Sequence, residues 1–282
     1  MDLLDTLLDP WRSGIERRAL LEVIMLGGLS GALGYWVTTF RLSYPAESLA
    51  HGMLPGLVLA ALAGVPLIVG GAGGVAVAAA AVALASRDPR IEADTATAVV
   101  VTGLLGLGGL LALSPDAPAR LEELLFGDPL GVTDGDLIAA ASLAVVGAAA
   151  LAVLHRPLCA VALDAHGAGT LGIPPAAVRF ALLALLAATL AVAVQGLGSL
   201  LVLAVLVAPA VAVRPLGLPA ARAIGWASAV AVISGIAGIY ASDAFGTAAG
   251  ASVALALCLA AAAGSLAQAG RGVGRLRSRP SQ

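Results

Sequence analysis

Residues 180–213 read FALLALLAATLAVAVQGLGSLLVLAVLVAPAVAV and carry no formal charge. As one helix this stretch would be about 51 Å long at a rise of 1.5 Å per residue. A membrane has a hydrocarbon core of only about 30 Å, so the stretch is too long for a single crossing. Gly196 and Gly198 offer a break near its middle. The sequence therefore predicts two membrane-spanning helices here.

The composition of the whole chain supports a membrane protein. The 282 residues are 60% hydrophobic and 11% charged, with a mean hydropathy of +1.01, whereas soluble domains carry about 25% charged residues. The formal net charge of −2 provides no basic field for nucleic acid. The two cysteines, Cys159 and Cys258, lie far apart in apolar surroundings, which favours inert thiols over a disulfide framework or a metal site.

Charge-free stretches elsewhere in the chain predict seven further spans. They lie at 23–40, twice within 48–86, and at 95–115, 137–155, 223–242 and 247–269. We therefore predict an all-α fold, a polytopic transmembrane bundle of eight or nine spans forming a single domain over residues 1–282. The count is eight if the stretch 23–40 does not fully cross.

Arginine positions predict the orientation in the membrane. Arg41 and the segments 87–90, 156–179 and 214–222 can all lie on one side, which the positive-inside rule makes cytoplasmic. The acidic segment 115–136 then lies outside. At the ends of the chain we expect an amphipathic interfacial helix over residues 1–18 and a basic cytoplasmic tail over residues 270–282.

One polar pair stands out inside a predicted span. The segment 45–56 reads PAESLAHGMLPG, with Glu47 and His51 four residues apart and so on one face of a helix. A carboxylate and an imidazole suit Zn²⁺ or Mn²⁺. The two residues could instead pair with each other, and two ligands do not fill a zinc site. Asp243 is a third ligand, an entry-gate carboxylate, or an ordinary helix-end residue.

The sequence shows no catalytic motif. It contains neither a Walker A loop nor a GxSxG elbow. The chain is therefore expected not to be an enzyme, and active transport through it would need a partner or an ion gradient.

Five motifs occur in order along the chain and carry a resemblance. They are RLSYPAESLAHGMLPG at 41–56, DTA at 94–96, LLFGDPLGV at 124–132, DAHGAGTLGIP at 164–174, and GSLL with VAPA between 198 and 210. Together they resemble the membrane permease subunits of ABC-type zinc and manganese importers, the ABC-3 family of metal permeases.

The resemblance implies a plasma-membrane permease that works as a homodimer in the lipid bilayer. A cytoplasmic ABC ATPase would supply energy and an extracellular binding protein would deliver zinc or manganese, with no permanently bound cofactor. Glu47 and His51 would hold the metal. The segment that would dock on the ATPase includes Asp164, Ala165, Gly169, Leu171 and Gly172. At two positions this sequence differs from the family pattern for metal binding. The family usually has Asp at the position of Glu47. Gly246 stands where the family commonly has an acidic residue, and Asp243 lies three residues earlier.

Other functions stay open at this point. An ABC permease for an iron chelate or vitamin B12 has a related design, but the Glu47–His51 pair favours a bare ion. A stand-alone secondary transporter needs buried carboxylates in several spans, and an intramembrane metalloprotease needs an HExxH-like helix, which none of the three histidines provides.

Overall fold

The protein is a bundle of helices. The computed structural model describes residues 11–85, 92–115 and 131–277, and these contain no β-strand. The helices are α1 (Gly14–Thr39), α2 (Ser43–Gly52), α3 (Leu54–Ala63), α4 (Leu67–Ala85), α5 (Ala93–Ala112), α6 (Asp134–Leu163), α7 (Ala165–Thr170), α8 (Pro175–Val213), α9 (Ala220–Phe245) and α10 (Ala249–Arg277), with a 3₁₀ turn at Arg214–Leu216. Eight helices in this part of the chain are long and apolar enough to cross a membrane. The predicted fold class is confirmed.

Helix α1 lies at the centre of the bundle. Ser13 caps it by accepting a hydrogen bond from the backbone of Glu16, at 3.5 Å. The helix therefore begins at Gly14, nine residues before the predicted span at 23–40, and is long enough to cross. Its buried face packs against α6, α8 and α9, and Leu20, Leu33 and Trp36 are fully buried.

Small residues let α1 touch its neighbours through the backbone. A Cβ atom added at Gly31 would lie 2.8 Å from the carbonyl carbon of Ala227 in α9. One added at Gly34 would lie 2.8 Å from the carbonyl carbon of Leu206 in α8. Close packing of this kind is typical of helices in lipid, where contact area replaces the hydrophobic effect.

The second crossing is interrupted beside His51. Helix α2 ends at Gly52 and α3 begins at Leu54, with Met53 at the junction and Pro55 in the first turn of α3. Proline has no backbone N–H and is best tolerated there. The helix is therefore interrupted two residues after His51, and Ser43–Ala63 still forms one candidate span.

Helix α8 folds back on itself. Gly198 has φ 73° and ψ 159°, which interrupts the helix and favours glycine. The Arg179 guanidinium lies 6.0 Å from the ring of Phe40 at the end of α1, while Leu206 contacts Gly34 further along α8. Residues 175–197 (α8a) thus run away from the end of α1 that carries Phe40, and residues 199–213 (α8b) return towards it. The predicted break is confirmed, but α8b is shorter than the eight full-length spans.

The two ends of the bundle differ in charge. At the acidic end, Arg18 of α1 forms an ion pair with Asp134 of α6 at 3.3 Å. Thr133 and Asp136 close a capping box at the start of α6. Arg41 and Arg179 lie at the opposite, arginine-rich end, which the positive-inside rule makes cytoplasmic.

Several predicted features fall outside the described residues. They are most of the loop motif at 124–132, the segment 87–90, residues 1–10 of the predicted interfacial helix, and residues 278–282 of the tail. Residues 14–18 form the beginning of α1.

Candidate functional site

Glu47 lies in a groove on the surface of the bundle. The groove has a volume of about 570 Å³ and is formed by α2, α8b and α10. We call it the Glu47 groove. Its walls include Tyr44, Glu47, Leu203, Val207, Val211 and Ala261. The Glu47 side chain is exposed, so its carboxylate is available to a ligand that enters the groove.

His51 lies one helical turn after Glu47. Its side chain is half-buried, and its Nδ1 atom is buried without a hydrogen-bond partner among the residues that the structure describes. A buried ring nitrogen without a partner is costly. Binding a metal ion would satisfy it, because a neutral imidazole is a common metal ligand. Glu47 and His51 lie four residues apart on α2 and so on one side of the helix, although His51 is not among the residues that line the Glu47 groove.

Asp243 does not join this pair. It is exposed near the end of α9, which runs antiparallel to α1 and so ends at the acidic end. His51 lies eight residues, or about 12 Å, from the start of α2 at the arginine-rich end. In residues 11–85, 92–115 and 131–277, no three His, Cys, Asp or Glu side chains are placed to hold a metal. Within the described part of one chain, a metal ion would therefore have only Glu47 and His51.

The predicted docking segment forms the short helix α7 at the arginine-rich end. Asp164 links it to α6: its backbone N–H donates to the carbonyl of Ala160, and its carboxylate accepts from the backbone of His166 at 2.9 Å. Leu171 is 78% exposed. Gly172 has φ 80°, a conformation that favours glycine. The segment is thus firmly attached to the bundle yet presents an apolar side chain outwards.

The five predicted docking residues differ in their surroundings. Asp164 and Gly169 are exposed like Leu171 and Gly172, and Ala165 is half-buried. A Cβ atom at Gly169 would meet no atom within 4 Å, so this face has room for a partner.

Sequence reasoning missed Glu22. The predicted span at 23–40 leaves Glu22 outside the membrane helix, but α1 begins before it and its side chain is only 1% exposed. Its carboxyl group lies against Gly196, at the end of α8a. The available signal was its position between two apolar residues in a stretch that continues the helical pattern backwards from residue 23.

Comparison with known proteins settles the family. The model of the ABC 3 transport family matches residues 14–268. The chain belongs to the ABC 3 transport family. It is therefore a permease subunit of an ABC importer, a multi-pass protein of the plasma membrane whose ATPase is a separate subunit.

Relatives in the family are named for different transported substrates. The chain is 26% identical to the manganese transport system membrane protein MntC of Listeria innocua, over 86% of each chain. It is 28% identical to the chelated iron transport system membrane protein YfeD of Yersinia pestis, over 75% of this chain and 71% of that protein. The solved structure of PsaBC from Streptococcus pneumoniae in complex with a Fab matches the fold with a TM-score of 0.86 at 22% identity. That match covers 93% of this chain and 95% of the PsaBC chain.

Proposed function

We propose that the chain forms the membrane pathway for a divalent metal ion, manganese or zinc, in an ABC importer. The observation that carries this proposal is the Glu47–His51 pair on one face of α2, with Glu47 open to the groove and the Nδ1 atom of His51 unpaired among the described residues. Oxygen and imidazole ligands together suit first-row divalent ions. The manganese relative supports the same cargo class.

A second copy of the chain would complete the metal site. One chain offers two ligands, while zinc in proteins usually has four. Glu47 is exposed within a candidate membrane span, and a charged group that faces lipid is costly, so a protein neighbour that covers the Glu47 groove is favoured. In a homodimer that buries this groove, two Glu47–His51 pairs would face each other and supply four ligands.

The other partners would act at the two ends of the bundle. A cytoplasmic ATPase would dock on α7 at the arginine-rich end, where Leu171 is exposed. A metal-binding protein would deliver the ion at the acidic end, where Asp134 and Asp243 are exposed. ATP binding would then draw the two α7 segments together and switch the pathway between outward and inward access.

Metal uptake by the complete transporter in proteoliposomes tests this proposal. Mn²⁺, Zn²⁺ and Fe²⁺ are compared for the wild type, Glu47→Gln and His51→Gln, with His155→Gln as the matched control because His155 lies on α6 rather than on α2. We expect Glu47→Gln and His51→Gln to lose uptake of the same ion while the control keeps it. Wild-type uptake in both of these variants would refute the metal site.

An iron chelate is the second candidate cargo, since one relative is named for chelated iron. A chelate carries its own metal ligands and would not need the imidazole of His51. Uptake of an iron–siderophore complex that persists in His51→Gln, with no uptake of free ions by the wild type, would favour this cargo instead.

A further inference from the structure

Glu22 is buried in the bundle at the point where α8 turns back. Its side chain is 1% exposed. A Cβ atom on Gly196 would lie 2.5 Å from the carboxyl carbon of Glu22 and would overlap both carboxyl oxygens. The carboxyl group therefore packs directly on the backbone of the last turn of α8a, two residues before the break at Gly198.

The charged groups around Glu22 do not neutralise it. Arg18 lies one turn earlier on α1; its Nη1 atom forms an ion pair with Asp134 of α6, and its Nε atom is buried without a hydrogen-bond partner among the described residues. On α8, the carboxyl group of Glu22 lies against Gly196, which carries no charge. An ionised carboxylate is very costly in such a place, so a neutral carboxyl group is favoured.

A neutral carboxyl group is also a hydrogen-bond donor. The Oε2 atom of Glu22 is buried and has no hydrogen-bond partner among the described residues. Gly198 interrupts the helix and so ends α8a, and the last carbonyl groups of a helix have no partners within it. A protonated carboxyl group on this turn could donate a hydrogen bond to one of these carbonyl groups, whereas an ionised carboxylate would be a further acceptor.

We propose that Glu22 is a positioning residue: its protonated carboxyl group donates a hydrogen bond to the backbone at the end of α8a and so fixes where α8b begins. Helix α8b forms one wall of the Glu47 groove through Leu203, Val207 and Val211. Glu22 thereby sets the position of the groove wall without touching the cargo. This inference deepens the proposed function and rests on it only for the role of the groove.

The first test does not depend on any cargo. Val207→Cys is introduced into a transporter complex whose native cysteines are removed by Cys159→Ala and Cys258→Ala. The rate at which a water-soluble thiol reagent labels the new cysteine is measured with and without ATP. Glu22→Gln keeps a neutral donor, so we expect its labelling rates to match those of the parent. Glu22→Leu removes the donor and leaves the carbonyl groups unpaired, so we expect the rate to change about fivefold or more.

The second test changes the size of the side chains at the contact between Glu22 and Gly196. Gly196→Ala places a methyl group on the carboxyl group, and Glu22→Asp withdraws that group by one methylene. We expect Gly196→Ala to alter Val207→Cys labelling about as strongly as Glu22→Leu, and the pair Glu22→Asp with Gly196→Ala to restore it. Gly103→Ala is the control, since a Cβ atom there meets no atom within 4 Å. Size-exclusion chromatography shows whether each variant complex is assembled.

Three outcomes overturn the inference. They are parent-like labelling in Glu22→Leu, labelling in Glu22→Gln as altered as in Glu22→Leu, and no restoration in the double variant. The second would mean that the ionised carboxylate is required. A wild-type complex that transports no metal, with the expected labelling pattern intact, would refute the proposed function and leave the role of Glu22 standing.

Discussion

Gly34→Ala is expected to separate α1 from α8b. The added Cβ atom would lie 2.8 Å from the carbonyl carbon of Leu206, whereas nonbonded carbon atoms pack best at about 3.5–4.0 Å. It would also overlap the carbonyl oxygen of Leu206, so the two helices must move apart by more than about 1 Å. Because the opposing atoms are backbone, a rotamer change cannot relieve the overlap. Overpacking in a core costs about 1–3 kcal/mol, and we expect a loss of about 3 kcal/mol in the free energy of unfolding.

Thermal unfolding of the purified permease in detergent measures this loss. A chain of this size loses about 2–4 °C in Tm for each kcal/mol, so Gly34→Ala should lower Tm by about 6–12 °C. Gly28→Ala is the matched control on the same helix, because its Cβ atom would meet only Val232 Cγ2, at 3.8 Å. A Tm for Gly34→Ala equal to that of Gly28→Ala would show that the two helices do not touch through their backbones.

Further predictions concern the docking segment, helix packing and the metal. Leu171→Asp should lower ATP-driven uptake by about tenfold or more, because a charge replaces an exposed apolar contact; normal uptake would exclude this contact with the ATPase. Ser228→Ala removes the hydrogen bond to the carbonyl of Gly28 at 2.8 Å and should cost about 0.6 kcal/mol in thermal unfolding. Glu47→Asp should keep uptake but change the ratio of Mn²⁺ to Zn²⁺ transported, measured in competition.

The break in α8 could be predicted because it depends on local properties. Gly196 and Gly198 interrupt an apolar stretch that is too long for one crossing, and the structure places the reversal there. The boundary of α1 could not be predicted by counting charge-free residues. That count began the span at residue 23 and so left Glu22 outside it, although Ser13 starts the helix much earlier.

In the candidate site, too, features that depend on local sequence could be predicted, and distances between helices could not. Helical periodicity alone places Glu47 and His51 on one face, and the structure keeps both on α2. The helix within the docking segment was also predictable, since Asp164 can cap a helix and Gly172 can end one. Whether Asp243 joins the pair depends on distances between helices, which residue spacing in one sequence does not contain.

The one-residue link at Asp164 has a mechanical consequence. It joins α7 to a helix that continues for 30 residues to Asp134, a length of about 45 Å. A tilt of about 5° imposed on this helix from the docking segment would move its far end by about 4 Å. That displacement exceeds the 3.3 Å between Arg18 and Asp134, so such a tilt would open or close their ion pair. A spectroscopic label at this ion pair would therefore report a movement that begins at the opposite end of the bundle.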